Sequence, residues 1–305
     1  MGMDAPEMRE KILAGEQTER EIGSQPACWR RAAALAAEVA HLLPARGERV
    51  AVVGGGTSWF IAQSYAAARE QSGHGETDAF AASEMPFGRR YDRVVVLCRS
   101  GTTSEIIALL DRLRGTVPTV VITAVPDAPV AWAADDVIDL GFADEESVVQ
   151  TRFATTELAL LRAHLGQDLS TAADAAERVL AAPLPAELLA ARQLTFLGDG
   201  WTYGVANEAA LKLREAASMW TESYPAMEFR HGPVAVTGEG SVVWLLGASP
   251  DGQTKAWTLV YLARLAKAGG DNERALKFYQ DAIGVEGASE QALKAAQNES
   301  KNIPK

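Results

Sequence analysis

Glu208, Lys212 and Glu215 stand at i, i+4 and i+7 in the stretch Glu-Ala-Ala-Leu-Lys-Leu-Arg-Glu. On a helix of 3.6 residues per turn the three share one face. Further along, His231 sits among turn formers in Arg-His-Gly-Pro. Two carboxylates, an amine and an imidazole are what moving protons on a sugar requires. An isolated E-x-x-x-K is ordinarily a surface ion pair worth about 0.3–0.5 kcal/mol, and a lone loop histidine is ordinarily just exposed or hydrogen-bonded. Here the charged stripe follows a Gly-x-Gly turn, Gly198-Asp-Gly200, in an Ala/Leu-rich segment. It is therefore expected to line a cleft, and a glutamate set in apolar helix is expected to have a raised pKa.

Two other stretches offer hydroxyls and backbone amides. Gly54-Gly-Gly-Thr57-Ser58 and Ser100-Gly-Thr-Thr103 each follow an apolar run and open a helical pattern. Glycines let a ligand approach the backbone, and helix starts attract anions. Each is equally readable as a tight turn with a hydroxyl N-cap. A dinucleotide fingerprint is a poor fit, because Trp59 occupies the third glycine position and Asp78 alone says little. Cys98 is expected to be a small buried residue at a strand end, and Cys28, beside Trp29, to be packing.

The elements that must position these groups alternate. Residues 49–53, 93–97, 119–123 and 136–140 read as strands, with helices after the first two and over 152–165. After Pro183-Leu-Pro185 the pattern restarts, with strands at 193–197 and 241–246 and a long helix between them. Strand, Gly-x-Gly and helix recur at 52–57 and 196–201, which reads as an internal duplication of one α/β unit. The expected class is α/β with two parallel-sheet units covered on both faces. The boundaries are an N-terminal arm and helix (1–44), unit 1 (45–182), a partial unit 2 (183–250) and a helical tail (251–305).

The tail differs in composition. Residues 1–250 contain two lysines and one asparagine; residues 251–305 contain six and three. Residues 270–283 resemble the turn and second helix of a tetratricopeptide repeat. One such unit cannot bury its own apolar face, so it must pack on the rest of the chain, meet a protein partner or stay poorly ordered.

The 305 residues carry a formal charge of -11 with no basic run, which disfavours nucleic-acid binding. Two cysteines make no disulfide framework, and four scattered histidines make no metal motif. No apolar run reaches membrane-spanning length, and a cytoplasmic location is the default.

Across about residues 20–250 the chain resembles the sugar isomerase (SIS) family. The motifs are Gly-Thr-Ser at 56–58, Ala-Ser-Glu at 82–84, Ser-Gly-x-Thr at 100–103, Gln-Thr-Arg at 150–152, E-x-x-x-K-x-x-E at 208–215 and His-Gly-Pro at 231–233. In particular it is similar to the isomerase half of glucosamine-6-phosphate synthase and to stand-alone hexosamine-phosphate deaminase/isomerases, whose N-terminal pattern Glu-Ile-x-x-Gln-Pro stands at 21–26. The resemblance implies two flavodoxin-like SIS units, no metal or redox cofactor, and aldose–ketose chemistry on an amino-sugar or ketosamine 6-phosphate. It implies that Thr57, Ser58, Ser100 and Thr103 hold the phosphate, with Cys98, Arg99 and Val148 lining the site. Glu215 would move the proton between C1 and C2. His231 would open the ring, contributed across a homodimer interface, and Lys212 and Glu208 would position hydroxyls. The chain departs from the family at Cys98, where a serine is usual, and at the tail, which replaces the C-terminal loop that closes over the sugar. A sugar-phosphate-binding regulatory protein without turnover is the alternative.

Overall fold

Continuous Val/Ile/Leu runs make the inner strands of two parallel sheets, since such strands are covered on both faces. The computed structural model describes residues 5–247 and 252–303. Residues 1–4, 304–305 and 248–251, where the tail is expected to begin, lie outside the described residues. The chain divides into two units, Met1–Pro183 and Leu184–Lys305.

Unit 1 contains α1 (Ala5–Glu38), β1 (Val50–Gly54), α2 (Thr57–Gln71), β2 (Thr77–Ala81), β3 (Arg93–Leu97), α3 (Ser104–Leu113), β4 (Thr119–Thr123), α4 (Pro129–Ala133), β5 (Asp136–Asp139), α5 (Arg152–His164) and α6 (Ser170–Leu180). Its five strands are parallel in the order β2-β1-β3-β4-β5. This is the flavodoxin-like order, in which the chain reverses direction of travel between β1 and β3 and leaves a crevice at the carboxyl ends of those strands. Val53, Val94, Val96, Ile106, Leu110 and Val121 form the core between sheet and helices.

The polar arm expected at the N-terminus is instead part of one 34-residue helix that runs through Pro26. Proline removes the N–H that would bond the carbonyl four residues back. That carbonyl belongs to Ile22, and the Gln25 side-chain amide donates to it at 3.2 Å. Tertiary contacts add to this local repair. Trp29 donates to Thr155 at 2.9 Å, and Arg30 bridges Asp174 and Glu177 at 2.6 Å each.

Arg69, on α2, is fully buried. Its guanidinium donates to the carbonyls of Ala45 (2.7 Å), Glu48 (3.0 Å) and Gly75 (3.2 Å) and to the Thr77 hydroxyl (2.8 Å). It thereby joins the segment before β1 to the start of β2.

Unit 2 contains α7 (Ala186–Leu189), β6 (Gln193–Gly198), α8 (Thr202–Ala217), β7 (Thr221–Pro225), 3-10 turns at Phe229–His231 and Pro233–Val236, β8 (Ser241–Leu246), α9 (Gln253–Ala268), α10 (Asn272–Ile283) and α11 (Glu290–Ser300). Its parallel order β7-β6-β8 matches β2-β1-β3 of unit 1. The likeness extends to register: Gly54 pairs with Ala81 and Gly198 with Pro225, at the same separation in sequence. Gly56 and Gly200 both take φ +53°. The second sheet has three strands among the described residues, the incomplete sheet that the sequence led us to expect.

The tail buries its apolar face internally. The α9–α10 hairpin is joined by α11, and Val260, Ala263, Ala275, Tyr279, Ala296 and Ile303 share one core. Asp271 caps α10 through the Arg274 amide, and Ser289 caps α11 through the Ala292 amide. The Arg264 guanidinium forks onto Glu299 at 2.8 and 2.6 Å, and the Tyr279 hydroxyl donates to Glu299 at 2.8 Å. The Arg264 hydrogen bonds, aided by Tyr279, hold the Glu299 carboxyl below its ordinary 4.5. A depressed folded-state pKa gives stability that is present above the unfolded value and lost as pH falls through the folded one. Glu299→Gln is therefore expected to flatten the loss of tail protection on acidification below about pH 4.5. Hydrogen exchange of residues 253–303 in the full chain reads this; equal acid sensitivity in both proteins would count against it. Among the described residues no helix is long and apolar enough to cross a membrane.

Candidate functional site

In unit 1 the two hydroxyl-bearing turns meet where the strand order reverses. β1 ends at Gly54, and a Cβ there would stand 2.4 Å from the Ser58 carbonyl carbon. Glycine is required for so close a turn. Thr57 and Ser58 follow, both buried, in the first turn of α2. After β3, Gly101 takes φ +67°, and a Cβ on it would collide with Ala128 at 2.3 Å. Ser100 turns inward on its own loop, accepting from the Thr102 amide at 3.3 Å and the Thr102 hydroxyl at 3.2 Å. Thr103 is extended at the start of α3 and makes no side-chain cap. Buried Cys98 donates its thiol to the Thr103 hydroxyl at 3.5 Å. A Cβ on Gly55 would lie 4.0 Å from Thr103 Cγ2, so the two turns adjoin. Glu105 also stands at the start of α3, and its carboxyl is held below the usual range by its own backbone amide and the Ser104 hydroxyl.

Arg99 braces a neighbouring loop. Its guanidinium donates to the Glu145 carbonyl at 2.5 Å and pairs with Asp144 at 3.6 Å. Val148, on the 144–151 loop, is 94% exposed. Two buried carboxylates missed in the sequence organise this loop. Glu145 accepts the amides of Thr151 (2.6 Å), Arg152 (2.9 Å) and Phe153 (3.1 Å), capping α5. Glu21 accepts the amides of Glu146 (2.7 Å) and Ser147 (3.2 Å). The Gln-Thr-Arg and Glu-Ile-x-x-Gln-Pro patterns flagged both ends of this network.

In unit 2 the charged stripe lies on α8. Lys212 stands between Glu208 Oε1 at 3.3 Å and Glu215 Oε2 at 2.6 Å. The Glu208 side chain is 9% exposed and that of Glu215 38%. The apolar burial expected around Glu215 is thus found at Glu208, one helical turn nearer the strand. α8 opens at Thr202, whose hydroxyl donates to the Leu246 carbonyl at 2.8 Å and so ties the ends of β6 and β8. Exposed His231 ends a 3-10 turn, its Nε2 accepting from Arg230 Nε at 3.1 Å.

A cavity of about 620 Å³ opens between the start of β8 and the tail, with Ser241, Val243, Leu262, Arg274 and Phe278 among its walls. It lies at the amino end of β8, away from the carboxyl ends where such folds bind ligands, and none of the sequence-predicted residues lines it. Among the described residues no group of three or more His, Cys, Asp and Glu side chains could hold a metal ion.

The SIS domain family model matches residues 187–268, running past the change of composition near residue 251. Glutamine–fructose-6-phosphate aminotransferase (isomerizing) of Clostridium acetobutylicum is 32% identical over 182 residues, which are 52% of this chain and 30% of that protein. The chain spans less than half the length of such curated relatives. Among solved structures, a proposed phosphosugar isomerase from Silicibacter pomeroyi superposes with a TM-score of 0.67 at 25% identity, covering 83% of this chain and 84% of that one. Glucosamine-6-phosphate deaminase from Thermotoga maritima gives a TM-score of 0.67 at 21% identity, over 92% and 91%. The chain therefore carries a SIS-domain segment at residues 187–268 within the parallel α/β fold of these neighbours.

Proposed function

We propose that the protein binds an amino-sugar or ketosamine 6-phosphate and interconverts its aldose and ketose forms, with release of the amine as a coupled step. The observation that carries this reading is the meeting of two glycine-hinged, hydroxyl-rich turns at the β1/β3 reversal, with Gly55 against Thr103. Thr57, Ser58, Ser100 and Thr103 hold the phosphate there through hydroxyls and helix-start amides. Cys98 supplies a weaker donor than a serine would. Arg99 and Val148 border the site. The names of the relatives, an isomerizing aminotransferase and a glucosamine-6-phosphate deaminase, support this substrate class.

Proton transfer is assigned to α8. A base must take a proton from one carbon and return it to the next while an acid serves the oxygen. Glu215 is that base, Lys212 and Glu208 orient hydroxyls, and His231 opens the ring from the second subunit of a homodimer. These two units act as tandem SIS domains, and the helical tail stands in place of the family's closing loop. Calorimetry with glucosamine-6-phosphate and fructose-6-phosphate, set against the unphosphorylated sugars, tests the binding. Failure of both phosphates to bind would sink the reading. Incubation in D2O tests the chemistry: deuterium is expected to enter the sugar carbon skeleton, and Glu215→Gln is expected to abolish it. Exposure of Glu215 and its 2.6 Å ion pair with Lys212 favour a second reading, binding without turnover. Tight binding with no deuterium entry and no ammonia would select it.

A further inference from the structure

One face of α1 is devoted to the 144–151 loop. Gln17 donates to the Glu146 carboxylate at 2.9 Å, and the Thr18 and Ser147 hydroxyls meet at 3.0 Å. Glu21 accepts two loop amides, and Ser24 accepts from Arg152 Nη1 at 3.1 Å. These positions recur every three or four residues, the spacing of a single helical stripe. From the other side Arg99, the residue before Ser100, holds the loop by the Glu145 carbonyl. The loop is thus clasped between the N-terminal helix and the β3–α3 turn. Glu21 is the only charged group of the stripe that is buried, at 4% exposure, and it is aimed at backbone rather than at a countercharge.

We propose that Glu21 is a positioning residue: by holding the Glu146 and Ser147 amides it fixes the 144–151 loop, and with it exposed Val148, at the rim of the β1/β3 crevice, where the loop meets the sugar of a bound sugar phosphate. The proposal rests on the sugar-phosphate reading above. Glu21 touches neither ligand nor reacting atoms. It acts through backbone amides, and holding a contact surface in its bound geometry improves affinity by lowering the ordering cost of binding. The phosphate end of the ligand is served by other residues, so the two ends of the ligand report separately.

Glu21→Ala is expected to weaken fructose-6-phosphate or glucosamine-6-phosphate binding about tenfold, as loss of hydrogen bonds to a charged acceptor implies. Binding of inorganic phosphate is expected to stay unchanged. Glu21→Gln, which keeps one acceptor oxygen for the amides, is expected to restore most of the loss. Hydrogen exchange without ligand is expected to show faster exchange in residues 144–151 of Glu21→Ala, with β1, β3 and β4 unchanged. Equal weakening toward phosphate and sugar phosphate, or unchanged exchange in the loop, would overturn the proposal. If Glu21→Ala does not fold, Glu21→Gln combined with Thr18→Val loosens the same clasp and is read in the same way. If the unaltered chain binds no sugar phosphate, the functional reading falls, and the exchange measurement alone decides whether Glu21 holds the loop.

Discussion

Arg69→Ala is expected to cost unit 1 about 3 kcal/mol or more, because it leaves three buried carbonyls and a threonine hydroxyl without their donor, each worth about 1–3 kcal/mol when unmet. Arg69 is fully buried, and its bonds reach Ala45, Glu48, Gly75 and Thr77. The repeat provides an internal control. Arg214, near the end of α8, makes the matching reach in unit 2, donating to the Thr221 carbonyl at 3.0 Å, but it is exposed and makes one such bond. Arg214→Ala is expected to cost about 1 kcal/mol or less. A two-unit chain need not melt as one, so the readout is segment-resolved hydrogen exchange. Arg69→Ala should release residues 45–81 and spare 193–225. Equal protection in the variant and the parent would show that the carbonyls find other partners.

Gly54→Ala is expected to abolish phosphate binding and destabilise unit 1 by about 1–3 kcal/mol, the usual penalty of forcing atoms into a packed space. The new methyl would stand 2.4 Å from the Ser58 carbonyl carbon and 2.6 Å from the Trp59 nitrogen. These are backbone atoms, so the start of α2 itself must move. Gly55→Ala is the informative contrast. Its methyl would meet Thr103 Cγ2 at 4.0 Å, ordinary contact distance, and Gly55 is not in the left-handed region. Stability is expected to hold while phosphate affinity drops, because the methyl enters the space between the two turns. Thermal melts and phosphate titration of both variants check this. Unchanged affinity in Gly55→Ala would remove the crevice as the phosphate site.

The inner strands were legible because β1, β3 and β4 are unbroken runs of apolar residues, as buried parallel strands must be. β2 (Thr-Asp-Ala-Phe-Ala) and β7 (Thr-Glu-Ser-Tyr-Pro) were missed for a shared reason. Both are sheet edges, both are buried only at their first residue, and neither needs an apolar run. α1 was misread as an arm because Pro26 breaks the local pattern, and its repair by Gln25 is a side-chain event that periodicity does not encode. The hydroxyl turns and the α8 stripe were visible as short-range patterns. Glu21 and Glu145 were not, because a carboxylate that binds backbone amides has no complementary charge to announce it. The tail's self-sufficiency was missed because α11 is Ala- and Gln-rich, and such a helix gives little sign that it covers a hairpin.

The long first helix also sets an order of events in synthesis. Its partners in unit 1 lie more than 120 residues downstream, at Glu146, Ser147, Thr155, Asp174 and Glu177. Non-local contacts form only after the intervening chain exists and its loop-closure entropy has been met. As the ribosome delivers the chain, α1 emerges first and has nothing to dock on until α5 and α6 have followed. The sheet can assemble meanwhile from β1 to β5, so the first helix made is the last piece of unit 1 to be fixed in place.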